Sequence, residues 1–136
     1  MIKNIELVSV DQNNPDHVGW LYKVRTHPEV AAHFFAPPPS KFIDHVQFLK
    51  KVLEAKERDF FIVYADGQMC GYCQIINHSD SYEVGFALHP DWQGKGIGSV
   101  SVELLLAHIQ RLDTDKSKNI TLVVKKDNLR AIALYK

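Results

Sequence analysis

The chain carries no excess of either charge: its 136 residues hold 16 Lys and Arg against 16 Asp and Glu. Nucleic acid and anionic membrane surfaces are bound through a surplus of positive charge, so neither is an expected partner. Long hydrophobic runs are also absent, and nothing approaches the roughly 18 apolar residues of a membrane span. The opening residues, Met1-Ile2-Lys3-Asn4-Ile5-Glu6, lack the apolar core of a signal peptide, and a cytoplasmic protein is expected. Cysteine is scarce. Cys70 and Cys73 form a C-x-x-C with no second pair to complete a zinc site, and on a strand, residues three apart face opposite ways. The histidines at 17, 27, 33, 45, 78, 89 and 108 show no H-x-x-x-H spacing, so no metal is expected.

What is present suits one soluble domain spanning 1–136, with 46% hydrophobic residues to build its core. A first strand is expected from about Ile2 to Val10, with Ile5, Leu7 and Val10 turned inward. Asn14 can cap a helix whose first position suits Pro15, and Pro28 disfavours a helical His27, so this helix ends near Thr26. Three prolines at 37–39 impose an extended loop. Ser40 then caps a second helix to about Glu57, with Phe42, Val46, Leu49 and Leu53 at helical spacing. A hairpin follows, Phe60 to Tyr64 and Met69 to Ile76, around the Asp66-Gly67 turn signal. After the loop 78–80 come a strand from Tyr82 to Leu88, a helix from about Gly96 to Leu112, a strand from Ile120 to Val124, and a helix from Asn128.

The most informative stretch joins the strand ending at Leu88, the break at Pro90, and the loop Gln93-Gly94-Lys95-Gly96-Ile97-Gly98 that opens a helix. Glycines there let backbone approach a bulky anion, and a helix start adds unpaired N–H groups and a positive dipole end. A dinucleotide loop needs glycines first, third and sixth, but the sixth position from Gly94 is Ser99. A Walker loop needs Lys then Ser or Thr after its last glycine, and Ser99 follows Gly98 directly. Gln-x-x-Gly-x-Gly fits, on Gln93, Gly96 and Gly98. Downstream, Asn128, Ala131 and Tyr135 fall on one helical face at spacings of three and four.

These two motifs together resemble the GCN5-related N-acetyltransferases. The resemblance implies an α/β (α+β) fold with a central mixed, mostly antiparallel sheet flanked by helices. It implies acetyl-CoA as cosubstrate, held by Phe86, Ala87 and Leu88, by Gln93 through Ser99 (Gly94, Lys95, Gly96, Ile97 and Gly98 between them), and by Asn128 and Ala131. Family members continue beyond the motif tyrosine with two more strands, whereas this sequence stops at Lys136, so a shortened chain is expected.

The implied reaction is direct attack of a primary amine on acetyl-CoA in a ternary complex. Such an amine, with a solution pKa of about 10.4, must first lose a proton. Glu83 is the candidate base and His78 the alternative. A backbone N–H at a bulge near Gly85 and Phe86 would hold the developing oxyanion, and Tyr135 would protonate the leaving thiolate. An acetyl-cysteine route through Cys73 is the weaker option, since nothing near it in sequence resembles a base. The acceptor pocket falls to Arg25, His27, Phe34 and Phe35, with His78 at its edge. The run from Arg25 to Leu49 looks like the branch containing ribosomal-protein alanine, spermidine and nucleotide-amino-sugar acetyltransferases, the last being the preferred reading. Few acidic residues occur there, which counts against a polyamine. Expected partners are therefore a small-molecule or peptide amine and, as a candidate assembly, a homodimer. A non-catalytic acetyl-CoA sensor or scaffold is the competing class.

Overall fold

A computed structural model of the chain describes residues 2–28, 41–56, 58–79, 81–112 and 119–122. Its elements run β1 (Ile5–Ser9), α1 (Pro15–Thr26), α2 (Phe42–Glu54), β2 (Arg58–Ala65), β3 (Gln68–Asn77), β4 (Ser81–Leu88), a 3-10 turn (Pro90–Trp92), α3 (Ile97–Leu112) and β5 (Asn119–Leu122). The sheet has the order β1-β2-β3-β4-β5; the first four strands are antiparallel and β5 is parallel to β4. This is the mixed, mostly antiparallel sheet that the motifs imply.

Local chemistry sets the boundaries. The Asn14 side chain accepts from the Asp16 and His17 N–H groups, Pro15 opens α1, and His27 leaves the helix with extended backbone. The second helix starts later and ends earlier than its periodicity suggests. Its cap position falls on Lys41, whose side chain makes no cap bond, rather than on Ser40. It stops at Glu54 because Lys56 takes a left-handed φ of 56°. Asp66 and Gly67 both have positive φ, the geometry of a tight hairpin turn, and the Asp66 carboxylate accepts from the Lys3 and Asn4 N–H groups to pin the N-terminal segment.

Strand alternation divides the core in two. On one face Phe61, Val63, Cys73, Ile75, Val84 and Leu88 meet Ile97, Leu105 and Ile109 of α3. On the other, Phe60, Ile62 and Tyr72 meet Val18, Leu21 and Val24 of α1 and Leu49 and Val52 of α2. Ile5 and Leu7 pack on the α3 face, while Val10 belongs to the opposite cluster.

The cysteines depart from simple alternation. Val63 pairs with Gly71 but Tyr64 with Met69, which leaves Cys70 as an extra residue in β3. The bulge reverses the facing of the strand at that point. Cys70 and Cys73 consequently lie in one core cluster rather than on opposite faces; both are free thiols.

Candidate active site

The glycine loop has the conformation its sequence requires. Gly94 and Gly96 take φ of 78° and 79°, the left-handed region in which a side chain is strained. Ile97, fully buried, anchors the first turn of α3, so its contribution to a ligand is its backbone N–H. Ser99 Oγ donates to the Gly96 carbonyl and braces the same turn. Exposed Lys95 supplies a cation beside these N–H groups. Glycine backbone, helix start and lysine together fit a pyrophosphate. Gln93 plays a different part, because its Nε2 donates to the Leu88 carbonyl at 3.1 Å and ties the loop back to the end of β4.

β4 places the remaining groups. Its register with β3 is unbroken from Tyr82 opposite Asn77 to Leu88 opposite Gly71, so the bulge expected at Gly85 and Phe86 is not there. A Cβ on Gly85 would touch the Gln74 side chain at an ordinary 3.5 Å, so no close backbone approach requires glycine at that position. The sterically obligatory glycine is Gly71, where a Cβ would overlap the Ala87 carbonyl oxygen and come within 2.9 Å of Leu88 Cα. The His89 N–H donates to the Cys70 carbonyl at 2.9 Å, which makes the odd-numbered residues the ones exchanging bonds with β3. The N–H groups of Phe86 and Leu88 therefore point to the β5 side. β5 pairs with β4 from Ser81 to Val84, and its described part ends at Leu122, level with Val84.

By the same alternation Ala87, Gly85 and Glu83 look toward α1 and α2, the side the sequence assigns to the acceptor. Glu83 Oε1 lies 3.2 Å from His78 Nε2, with both side chains partly exposed, so the two base candidates form one pair. Farther along this face, Arg25 is buried. Its guanidinium sits 5.1 Å from the Phe48 ring and 5.5 Å from Phe60, and it bonds to the Tyr72 hydroxyl. Arg58 covers Phe48 at 5.3 Å. Burial, opposed by Tyr72, lowers the Arg25 pKa, and burial raises that of Tyr72 to about 12. His45, also buried, is lowered to about 4 by desolvation and by Arg25, while its ring bonds to the Val18 backbone.

His27 is drawn elsewhere. Its ring meets His89 edge-on at 5.1 Å, and His89 stacks on Trp20, whose indole N–H donates to the Gly71 carbonyl. The His89 Nδ1 accepts from the Asp91 N–H and caps the turn that begins the loop. His27 thus links α1 to the start of the glycine loop. Phe34, Phe35, Asn128, Ala131 and Tyr135 lie outside the described residues, as do the loop at 37–39, the end of the strand to Val124 and the helix from Asn128. Tyr72, Gln74 and Arg58 belong to no motif and gain their place in the site only from the fold; a glutamine inside the apolar run 69–76 is the one signal of them in the sequence.

The thiols are poor nucleophiles. Burial raises Cys70 to about 11 and pushes Cys73 further still, which leaves essentially no thiolate near neutrality. Among the described residues no group of His, Cys, Asp and Glu could hold a metal, and no helix is long and apolar enough to cross a membrane.

A glycine loop on a helix start, set at the end of a strand in a mixed sheet, is the arrangement expected of a coenzyme A-dependent acyl-transfer protein. The chain belongs to the acetyltransferase (GNAT) family, whose model matches residues 21–136. It is 26% identical over 132 residues to the acetyltransferase PseH of Campylobacter jejuni, covering 96% of this chain and 81% of that protein. A putative [ribosomal protein bS18]-alanine N-acetyltransferase of Bacillus subtilis is 26% identical over 109 residues, 79% of this chain and 68% of that one. Among solved structures, Campylobacter jejuni N-acetyltransferase PseH in complex with acetyl coenzyme A superposes with a TM-score of 0.65 at 25% identity, covering 97% of this chain and 84% of that one. Spermidine N-acetyltransferase from Vibrio cholerae, in complex with CoA and spermine, reaches 0.83 at 18% identity, over 96% and 77%. This chain is an acetyl-CoA-dependent N-acetyltransferase with the fold its motifs imply.

Proposed function

We propose that the acceptor is the primary amine of a nucleotide-linked amino sugar. One observation carries the reading: on the α1/α2 face the Arg25 guanidinium lies over the Phe48 and Phe60 rings, and Arg58 also lies over Phe48. Two cations beside aromatic faces suit a ligand that is anionic and partly planar, as a nucleoside diphosphate is. They repel a polyamine. An N-terminal peptide gains nothing from them, and a sensor without catalysis has no use for a base pair such as Glu83 and His78 on the same face.

Acetyl-CoA supplies the activated acetyl group. The α3 N-terminus, Gly94, Gly96, Gly98 and Lys95 hold its pyrophosphate, with Ile97 and Ser99 contributing backbone. The outward N–H groups of Phe86 and Leu88 suit the amide-bearing arm, with Ala87 between them, and the family resemblance assigns Asn128 and Ala131 to the same arm. Glu83, paired with His78, takes the proton from the ammonium. Once the C–N bond has formed and the C–S bond breaks, Tyr135 protonates the departing sulfur and is reprotonated through solvent by the proton the acetylated nitrogen sheds; the ordinary pKa values of a phenol and a thiol, about 10 and 8.5, are close enough for efficient transfer. Arg25 orients the acceptor, and Phe34 and Phe35 are assigned to the same task by the family resemblance alone. Dependence on acetyl-CoA supports a cytoplasmic location.

Thiol release with a UDP-linked 4-amino sugar tests the reading. Arg25→Leu should raise the acceptor KM at least tenfold and leave the acetyl-CoA KM within about twofold, at unchanged melting behaviour after correction for stability. An unchanged acceptor KM would contradict it.

A further inference from the structure

The row of side chains on the acceptor face contains one group that the mechanism has not used. Gln74 stands opposite Gly85 in the β3–β4 ladder and opposite Phe60 in the β2–β3 ladder, on the same face as Tyr72. Its side chain lies across the glycine, with Nε2 at 3.5 Å and Cγ at 3.8 Å from where a Cβ would be. The Oε1 atom is buried and has no hydrogen-bond partner among the described residues. A buried carbonyl oxygen without a donor costs about 1–3 kcal/mol, and a native protein that keeps one needs a reason.

Position supplies the reason. Glu83 is two residues from Gly85 on the same face of β4, about 7 Å along the strand. Tyr72, bonded to Arg25, is two residues from Gln74 along β3 on the other side. The amide thus stands between the base pair and the buried cation, over the one position of β4 with no side chain to block access. Valine, leucine or isoleucine would suit this half-buried strand position better than an amide, unless a donor arrives with the substrate.

We propose that Gln74 is an amine-positioning residue: its Oε1 accepts an N–H of the reacting amine after Glu83 and His78 have removed the ammonium proton. A neutral primary amine has two N–H groups and one lone pair. Holding one N–H on Gln74 restricts rotation about the C–N bond and directs the lone pair toward the acetyl carbon. The inference depends on the α1/α2 face being the amine side, but not on which molecule carries the amine.

That independence shapes the test. Ethylamine, at high concentration, presents the reacting nitrogen and nothing else, so it reports on Gln74 whether or not an amino sugar is the acceptor. Gln74→Leu should lower kcat/KM for ethylamine ten- to a hundredfold, leave the acetyl-CoA KM within twofold, and leave Tm unchanged or raised, because an unsatisfied oxygen has been removed. Gln74→Glu, which keeps an acceptor oxygen in place, should recover most of the loss. A merely structural glutamine predicts the reverse pattern: lowered Tm, with both substrates' kinetic constants moving together. Either that pattern or an unchanged kcat/KM in Gln74→Leu overturns the assignment. Failure of a UDP-linked amino sugar as substrate, with the ethylamine ratio intact, would overturn only the acceptor reading.

Discussion

On the proposed mechanism Glu83 removes the proton, and its contact with His78 gives it a route to solvent through a partly exposed partner. Glu83→Gln should lower kcat by about a hundredfold at pH 7, within the usual range for a general base. The deficit should narrow toward pH 10, where the free amine forms unaided; a pH–rate profile of both proteins measures this. The thiols make an opposite prediction. Cys70 and Cys73 are buried in one cluster with raised pKa values, so the native protein should resist alkylation at pH 8 until it unfolds. Cys73→Ala should retain kcat within about twofold, and initial-rate plots should intersect as a ternary complex requires. Parallel lines would mean a covalent acetyl-enzyme.

At the scale of elements, the cofactor end of the site is a strand, a turn and a helix start held together by two side chains. Gln93 ties the loop to the Leu88 carbonyl, and His89 caps the turn and stacks against α1. Gln93→Ala should therefore raise the acetyl-CoA KM about tenfold while Tm moves little, because the bond organises a loop and buries no core. Gly96→Ala should add to the same KM and cost about 1 kcal/mol for the left-handed backbone; titration of CoA by calorimetry separates the two effects. Much of this region was legible in the sequence, because each feature is local. The left-handed glycines, the Asn14 cap and the Asp66-Gly67 turn need only their neighbours in the chain. The bulge at Cys70 was not legible, since it is defined by pairing with β2, nor was the burial of Arg25, because its aromatic neighbours come from α2 and β2. A bulge at Gly85 was expected from its glycine, but the steric demand for glycine lies on the adjacent strand, at Gly71.

For the molecule as a whole, the two faces of one sheet divide the labour. On the proposed mechanism α3 and its loop serve the donor, while the α1/α2 side, where His45 is buried beside Arg25, serves the acceptor. The folded pKa of His45, about 4, lies below its ordinary 6.5, so the unfolded chain takes up the proton first as pH falls. Its contribution to stability is complete above about pH 6.5 and is lost progressively as pH falls toward 4. The slope of Tm against pH in that interval should be shallower in His45→Leu than in the native protein, even if the variant melts lower throughout.

If Arg25 and Arg58 select the acceptor as proposed, a direct comparison of amines shows it. Thiol release from acetyl-CoA should be measured side by side with a UDP-linked 4-amino sugar, spermidine and an alanine-initiated peptide. The expected kcat/KM for the nucleotide-linked amine is at least a hundredfold above the other two. Preference for spermidine or for the peptide, at any ratio above one, would contradict it.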